Sequence, residues 1–186
     1  MSRPLVAVIA AVAAVLAAWF GVGSYLPDRW HVETTRILAA DASAIGAELS
    51  DLSRWRGWLG QPFVLGAVTD CRAAGTPGTA GQSLTWRGSK GRVVLAIEAL
   101  DLAGSLSYEL RMRTDRDSFS LGGGRLTWEP QGTGRTLVSW SEHGTFDTLS
   151  SRWAGWFGAL QEHVREQQQA ALGRLASLTS RVGEGR

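Results

Sequence analysis

Cysteine and lysine are nearly absent from these 186 residues: Cys71 stands alone, and Lys90 is the one lysine among 19 basic residues. A single thiol excludes an intrachain disulfide and leaves the redox compartment unread. The arginine bias points to the base composition of the genome rather than to function. Net charge is +2, from 19 basic and 17 acidic residues, a small surplus rather than a basic field. That argues against a nucleic-acid partner. His31, His143 and His163 lack metal-ligand spacing, so no metal is expected. Ser139, Ser141, His143 and Asp147 make no hydrolase, because the chain has no G-x-S-x-G elbow. Gly122-Gly123-Gly124 lacks the βαβ setting of a dinucleotide fingerprint, and Lys90 sits in a turn without a Walker motif. No cofactor is called for, and no catalytic residue stands out.

Apolar residues, at 44% of the chain, are abundant, with 23 glycines and nine tryptophans. The glycines suit turns and bulges of a β-rich domain. The tryptophans suit a wide core, a cavity lining or a membrane interface. The length allows one domain plus an appendage.

Leu5 to Leu26 carries no charge. At about 1.5 Å per residue it reaches roughly 33 Å, enough for a hydrocarbon core of about 30 Å. Trp19, Phe20, Tyr25 and Trp30 cluster at its far end, as an interfacial aromatic belt does. An uncleaved signal anchor and a cleaved signal peptide compete, since Val12 and Ala14 offer a cleavage pattern. The run exceeds a usual signal core, which favours an anchor, a membrane contact through residues 5–26. Arg3 sets the N-terminus in the cytoplasm by the positive-inside rule, so residues 28–186 are expected to be exported to the periplasm or outside.

Pro27-Asp28 ends this helix. Trp30 to Leu38 alternates and reads as an edge strand. Asp41 can cap a helix from Ala42, and Ser50-Asp51 can start a second one through Trp55 and Trp58. Strands are then expected over Phe63–Arg72, Gln82–Arg87, Arg92–Leu102, Leu106–Arg113, Ser118–Glu129 and Arg135–His143. Turn chemistry separates them, including Thr114-Asp115-Arg116-Asp117. Short connections imply an antiparallel meander, and Gly122-Gly123-Gly124 permits a bulge or bend in it. Leu106, Tyr108, Leu110 and Met112 share a face, as do Val138 and Trp140. Glu98 shares parity with Val94, Ala96 and Leu100, and Glu142 with Val138 and Trp140. A carboxylate on a core-facing row needs a partner, such as Arg111 or Arg125, or a wet cavity.

Trp153, Phe157, Leu160, Val164, Ala171, Leu175 and Leu178 follow at steps of four, three, four, seven, four and three. This predicts one amphipathic helix over Arg152–Ser180, about 43 Å long. Bulky Trp and Phe suit packing on a sheet better than a coiled-coil seam.

Three segments carry a family likeness: residues 45–58 (IGAELSDLSRWRGW), 81–88 (GQSLTWRG) and 134–140 (GRTLVSW). With the element order, they resemble the START-like, polyketide cyclase and dehydrase (SRPBCC) superfamily over about residues 30–180. The usual Thr-Arg order is reversed here as Arg135-Thr136. The resemblance implies an α+β helix-grip fold, a curved seven-stranded antiparallel sheet wrapped around a long C-terminal helix, preceded by the transmembrane helix. The expected division is an anchor or signal peptide over 1–28, the helix-grip domain over 29–182 and a tail over 183–186. It also implies an apolar cavity for a lipid or other hydrophobic small molecule, without implying an activity. Candidate lining residues are Trp86, Glu98, Trp128, Trp140, Glu142, Trp153, Trp156, Phe157 and Leu160. Core packing is the competing reading for the tryptophans. Three functions follow: a tethered binding module, a cyclase or dehydratase using Glu98 or Glu142 as acid or base, or an envelope interaction or stress protein without a ligand.

Overall fold

The computed structural model describes residues 3–114 and 118–183. The core of the expected turn at 114–117 and most of the tail at 183–186 lie outside the described residues.

Helix α1 (Arg3–Tyr25) is uncharged beyond its first residue. Its Pro4–Tyr25 stretch has a mean hydropathy of 2.6 and is long and apolar enough to cross a bilayer. Leu5, Val6, Ile9, Val12 and Leu16 face outward, each about half exposed. Strand β1 (Arg29–Leu38) follows, then α2 (Ala42–Leu49) and α3 (Leu52–Trp55). The Asp51 carboxylate accepts the Ser53 N–H and starts α3. Six strands come next: β2 (Val68–Ala74), β3 (Ser83–Gly88), β4 (Gly91–Asp101), β5 (Ser105–Arg113), β6 (Ser118–Pro130) and β7 (Thr136–Thr145). Two helices close the chain, α4 (Leu149–Trp156) and α5 (Ala159–Gly183).

The seven strands form one antiparallel sheet in the order β1-β7-β6-β5-β4-β3-β2. β2 to β7 are a meander, and β1 adds to β7 at one edge, as its pattern predicts. The inner face of the sheet supplies Leu84, Val93, Leu95, Ile97, Leu106, Leu126 and Val138 to the core, all at most 2% exposed. Trp55 and Trp58 reach the same core, as do Ala171, Leu172 and Leu175 of α5. This is the expected helix-grip α+β fold.

Three local expectations are corrected. Phe63–Leu65 is a 3-10 turn, and β2 starts only at Val68. Pro62 precedes that turn, and Gly66 adopts φ +67°, so the chain cannot run extended through this stretch. The single helix over 152–180 is two helices. Gly158 adopts φ +73° and its N–H returns to the Gly155 carbonyl, a glycine stop just past the C-cap residue Phe157. Glu98 is exposed, against the expected core-facing row. Glu98 continues the outward row of Val94 and Ala96, while Val93, Leu95 and Ile97 alternate inward. The bulge between Ile97 and Ala99 then returns Leu100 to the core side, so its parity does not carry back to Glu98.

Candidate functional site

A cavity of about 530 Å³ lies between α5 and the sheet. Trp86, Leu95, Tyr108, Leu110 and Trp140 form its sheet wall. Leu160, Val164 and Gln168 form the helix wall, and the stretch after α3, Leu59 to Pro62 with Val64, closes one side. Ser151 and Ala154 of α4 border it beside the exposed Ser120, Asp147 and Thr148, where it opens.

One polar cluster faces this apolar space. Glu142 stands on β7 among half-buried residues, and its two carboxylate oxygens have separate donors. Tyr108 Oη donates to Oε1, and Gln168 Nε2 donates to Oε2 at 3.1 Å. Each donor is held from behind. Trp140 Nε1 donates to Tyr108 Oη at 2.8 Å, and Thr34 Oγ1 donates to Gln168 Oε1 at 2.7 Å. The cluster therefore joins β1, β5, β7 and α5, and both donors are fixed in orientation.

Sheet register builds it. Tyr108, Gly124 and Glu142 are successive cross-strand neighbours on β5, β6 and β7. A Cβ on Gly124 would overlap the Tyr108 ring. The missing side chain lets that ring lie across β6 and reach the carboxylate two strands away. Trp55 packs edge-on against Tyr108 at 5.8 Å and keeps it there.

Burial pushes the Glu142 carboxyl above the ordinary carboxylate range, while its bonds from Tyr108 and Gln168 act the other way. Among the described residues no cation pairs with it. Arg111, an expected partner, bonds Glu109 at 2.7 Å instead. Burial, with the Glu142 charge beside it, pushes the Tyr108 phenol well above its usual value, so Tyr108 stays a neutral donor. A carboxylate without a counter-ion in an apolar space is expensive unless something donates to it. Two fixed donors leave it free acceptor sites toward the cavity.

Of the nine candidates, Trp86, Trp140, Glu142 and Leu160 line the cavity. Glu98 is on the opposite face, in the outward row of Val94 and Ala96. Trp128 is buried at 2% but packs beneath α2, its Nε1 2.8 Å from where a Cβ on Gly46 would stand. Trp153, Trp156 and Phe157 do not line it either. Trp153 stacks on Trp19 of α1 at 4.8 Å, and Trp156 and Phe157 are 62% and 75% exposed. The helix break at Gly158 sets α4 apart from α5, which removes these three from the expected wall.

Tyr108, Gln168 and Thr34 were not among the candidates. The stripe held a sign of Gln168. Its step of seven, from Val164 to Ala171, skips a position on the same helix face, and that position is Gln168.

An open antiparallel sheet curled over a C-terminal helix, with an apolar cavity between them, defines a ligand-binding helix-grip domain. This chain belongs to the family "Polyketide cyclase / dehydrase and lipid transport", whose sequence model matches residues 29–179. No curated protein matches the chain. Solved structures share its fold at low identity. A Staphylococcus aureus protein of unknown function aligns at 6% identity and TM-score 0.61, over 84% of this chain and 97% of that one. A Thermobifida fusca protein aligns at 18% and 0.58, over 81% and 93%. A Mycobacterium smegmatis protein aligns at 15% and 0.57, over 82% and 92%.

Proposed function

We propose that this protein is a membrane-tethered domain, exported from the cytoplasm, that binds a hydrophobic small molecule or lipid between α5 and the sheet. The observation that carries this is the 530 Å³ apolar cavity with the Glu142 carboxylate, held by two neutral donors, in its wall. Pockets of a few hundred Å³ that are mostly apolar, with few fixed polar groups, suit such ligands. Glu142 favours a ligand with one hydrogen-bond donor, a hydroxyl or an amine, at the end that meets it. A ligand with its own carboxylate is disfavoured by like charge. The apolar helix α1 supports tethering, and Arg3 before it supports an outward domain.

Native mass spectrometry of the protein after delipidation, then after incubation with long-chain alcohols, amines and acids, tests this. Uptake of alcohols or amines with exclusion of the acids is expected. Failure to take up any apolar ligand refutes the binding reading.

A second reading has support in the same carboxylate. An acid of raised pKa beside a fixed phenol suits proton transfer in a cyclase or dehydratase. Glu142→Gln separates the two: a binder retains apolar ligand in this variant with weaker head-group preference, whereas an acid–base enzyme binds its substrate and leaves it unconverted.

A further inference from the structure

α4 is fastened to the C-terminal end of α1. A Cβ on Gly23 would fall 2.5 Å from Leu149 Cδ1 and 2.7 Å from Trp153 Nε1, so the two helices meet backbone to side chain. Trp153 stacks on Trp19, and its Nε1 donates to the Trp19 carbonyl at 3.3 Å. Residues 149 and 153 thus meet residues 23 and 19 in turn. α4 runs antiparallel to α1, from the end of the apolar helix back along it.

Depth follows from the rise of a helix. Pro4 to Ser24 is twenty steps, about 30 Å, which matches a hydrocarbon core of about 30 Å. Trp19 then lies roughly 7 Å inside the far boundary of that core. Whatever touches Trp19 shares its depth. Trp153 is at that level, and Trp156 and Phe157 continue in the same direction. Phe157 also stacks on Trp153 at 6.4 Å. Their 62% and 75% exposure, costly in water, suits a position about 12 Å inside that boundary, in the hydrocarbon of the outer leaflet. The polar end of α4 lies the other way: Thr148 and Ser151 form its capping box, and Arg152 donates to the Ser24 carbonyl at 3.5 Å. Charge returns only at Glu162, one turn into α5, which limits the insertion to the corner itself.

We propose that the corner between α4 and α5 is inserted in the lipid, with Trp156 and Phe157 in the hydrocarbon of the outer leaflet of the bilayer that α1 crosses. The partner is the membrane leaflet itself. Because Ser151 and Ala154 of α4 border the cavity, its opening is then held against the lipid head groups. The proposal rests on the reading of α1 as an uncleaved anchor.

The test uses the full chain in nanodiscs of phosphatidylcholine and phosphatidylglycerol in equal parts. Cysteines introduced one at a time by Trp156→Cys, Phe157→Cys or Thr133→Cys, in a Cys71→Ser background, carry a nitroxide label. Thr133 is the control, in the turn at the far end of β7, roughly 30 Å along that ten-residue strand from Thr145. Labels at 156 and 157 are expected to collide more with oxygen than with a water-soluble nickel complex, and the label at 133 the reverse. A label at 156 and 157 as water-accessible as that at 133 overturns the seating. Alkaline carbonate extraction of native membranes separates the premise: a protein retained while its labels sit in water loses only the seating. A protein released by carbonate loses the anchor and the seating together.

Discussion

Two tryptophan pairs with the same spacing, Trp55/Trp58 and Trp153/Trp156, end in opposite environments. The first pair is fully buried, its rings 4.9 Å apart, with Trp58 edge-on to Trp140 at 6.0 Å. The second pair splits: Trp153 leans on α1, and Trp156 points away from the domain. The segments that carry them border the same cavity, through Leu59 to Pro62 after α3 and through Ser151 and Ala154 of α4. Identity and spacing are alike, so the surroundings decide. α3 is held over the core by Leu49 and Leu52, both fully buried, whereas α4 offers only Gly155 to the interior. One helix is a floor and the other a doorway.

Substitutions should therefore diverge. Trp58→Ala is expected to cost about 3–5 kcal/mol, lowering the melting temperature by about 10 °C or more. Trp156→Ala is expected to stay within about 0.5 kcal/mol in detergent. Equal losses in thermal denaturation would erase the distinction. Gly124→Val comes next. It drives a side chain into the Tyr108 ring and should cost about 1–3 kcal/mol. Ligand retention should fall with it, because Tyr108 releases Glu142.

The smallest effect concerns pH. The folded state holds the Glu142 proton more tightly than the unfolded chain does, since burial raises that pKa. Its stabilising contribution is complete below the ordinary carboxylate value of about 4.3 and is lost as pH rises through the raised folded value. Glu142→Gln should flatten that decline in stability, by about 1 kcal/mol or less, as read from melting temperatures across pH. An unchanged slope would mean that the carboxylate titrates as it does in water.

Much of the fold was legible because alternation and turn chemistry are local. Every strand was anticipated, and the faces of β5 and β7 were assigned correctly through Tyr108 and Trp140. Two of the three errors share one physical source, a local irregularity that resets a period. The bulge after Ile97 puts Leu100 out of step with the outward row of Val94, Ala96 and Glu98, and Gly158 divides the final helix. No averaged pattern registers either. The site was half legible. Glu142 announced itself as a charge on an apolar row. Tyr108 looked like core, because its hydroxyl depends on an empty place at Gly124 one strand away. Thr34 and Gln168 belong to segments 134 residues apart, and only tertiary pairing brings them within 2.7 Å.

The pairing of β1 with β7 has a consequence for synthesis. Arg29 meets Thr145 and Leu38 meets Thr136, so the first strand waits about 100 residues for its strand partner. At roughly 5–20 residues per second that is on the order of 5–20 s after β1 has been made. Throughout that interval an unpaired edge stands directly beside the apolar helix α1. Closing so long a loop is entropically costly, so this pairing is expected to form late in folding. Mistakes in biogenesis should therefore concentrate on β1, and a holdase that shields extended segments would act there first.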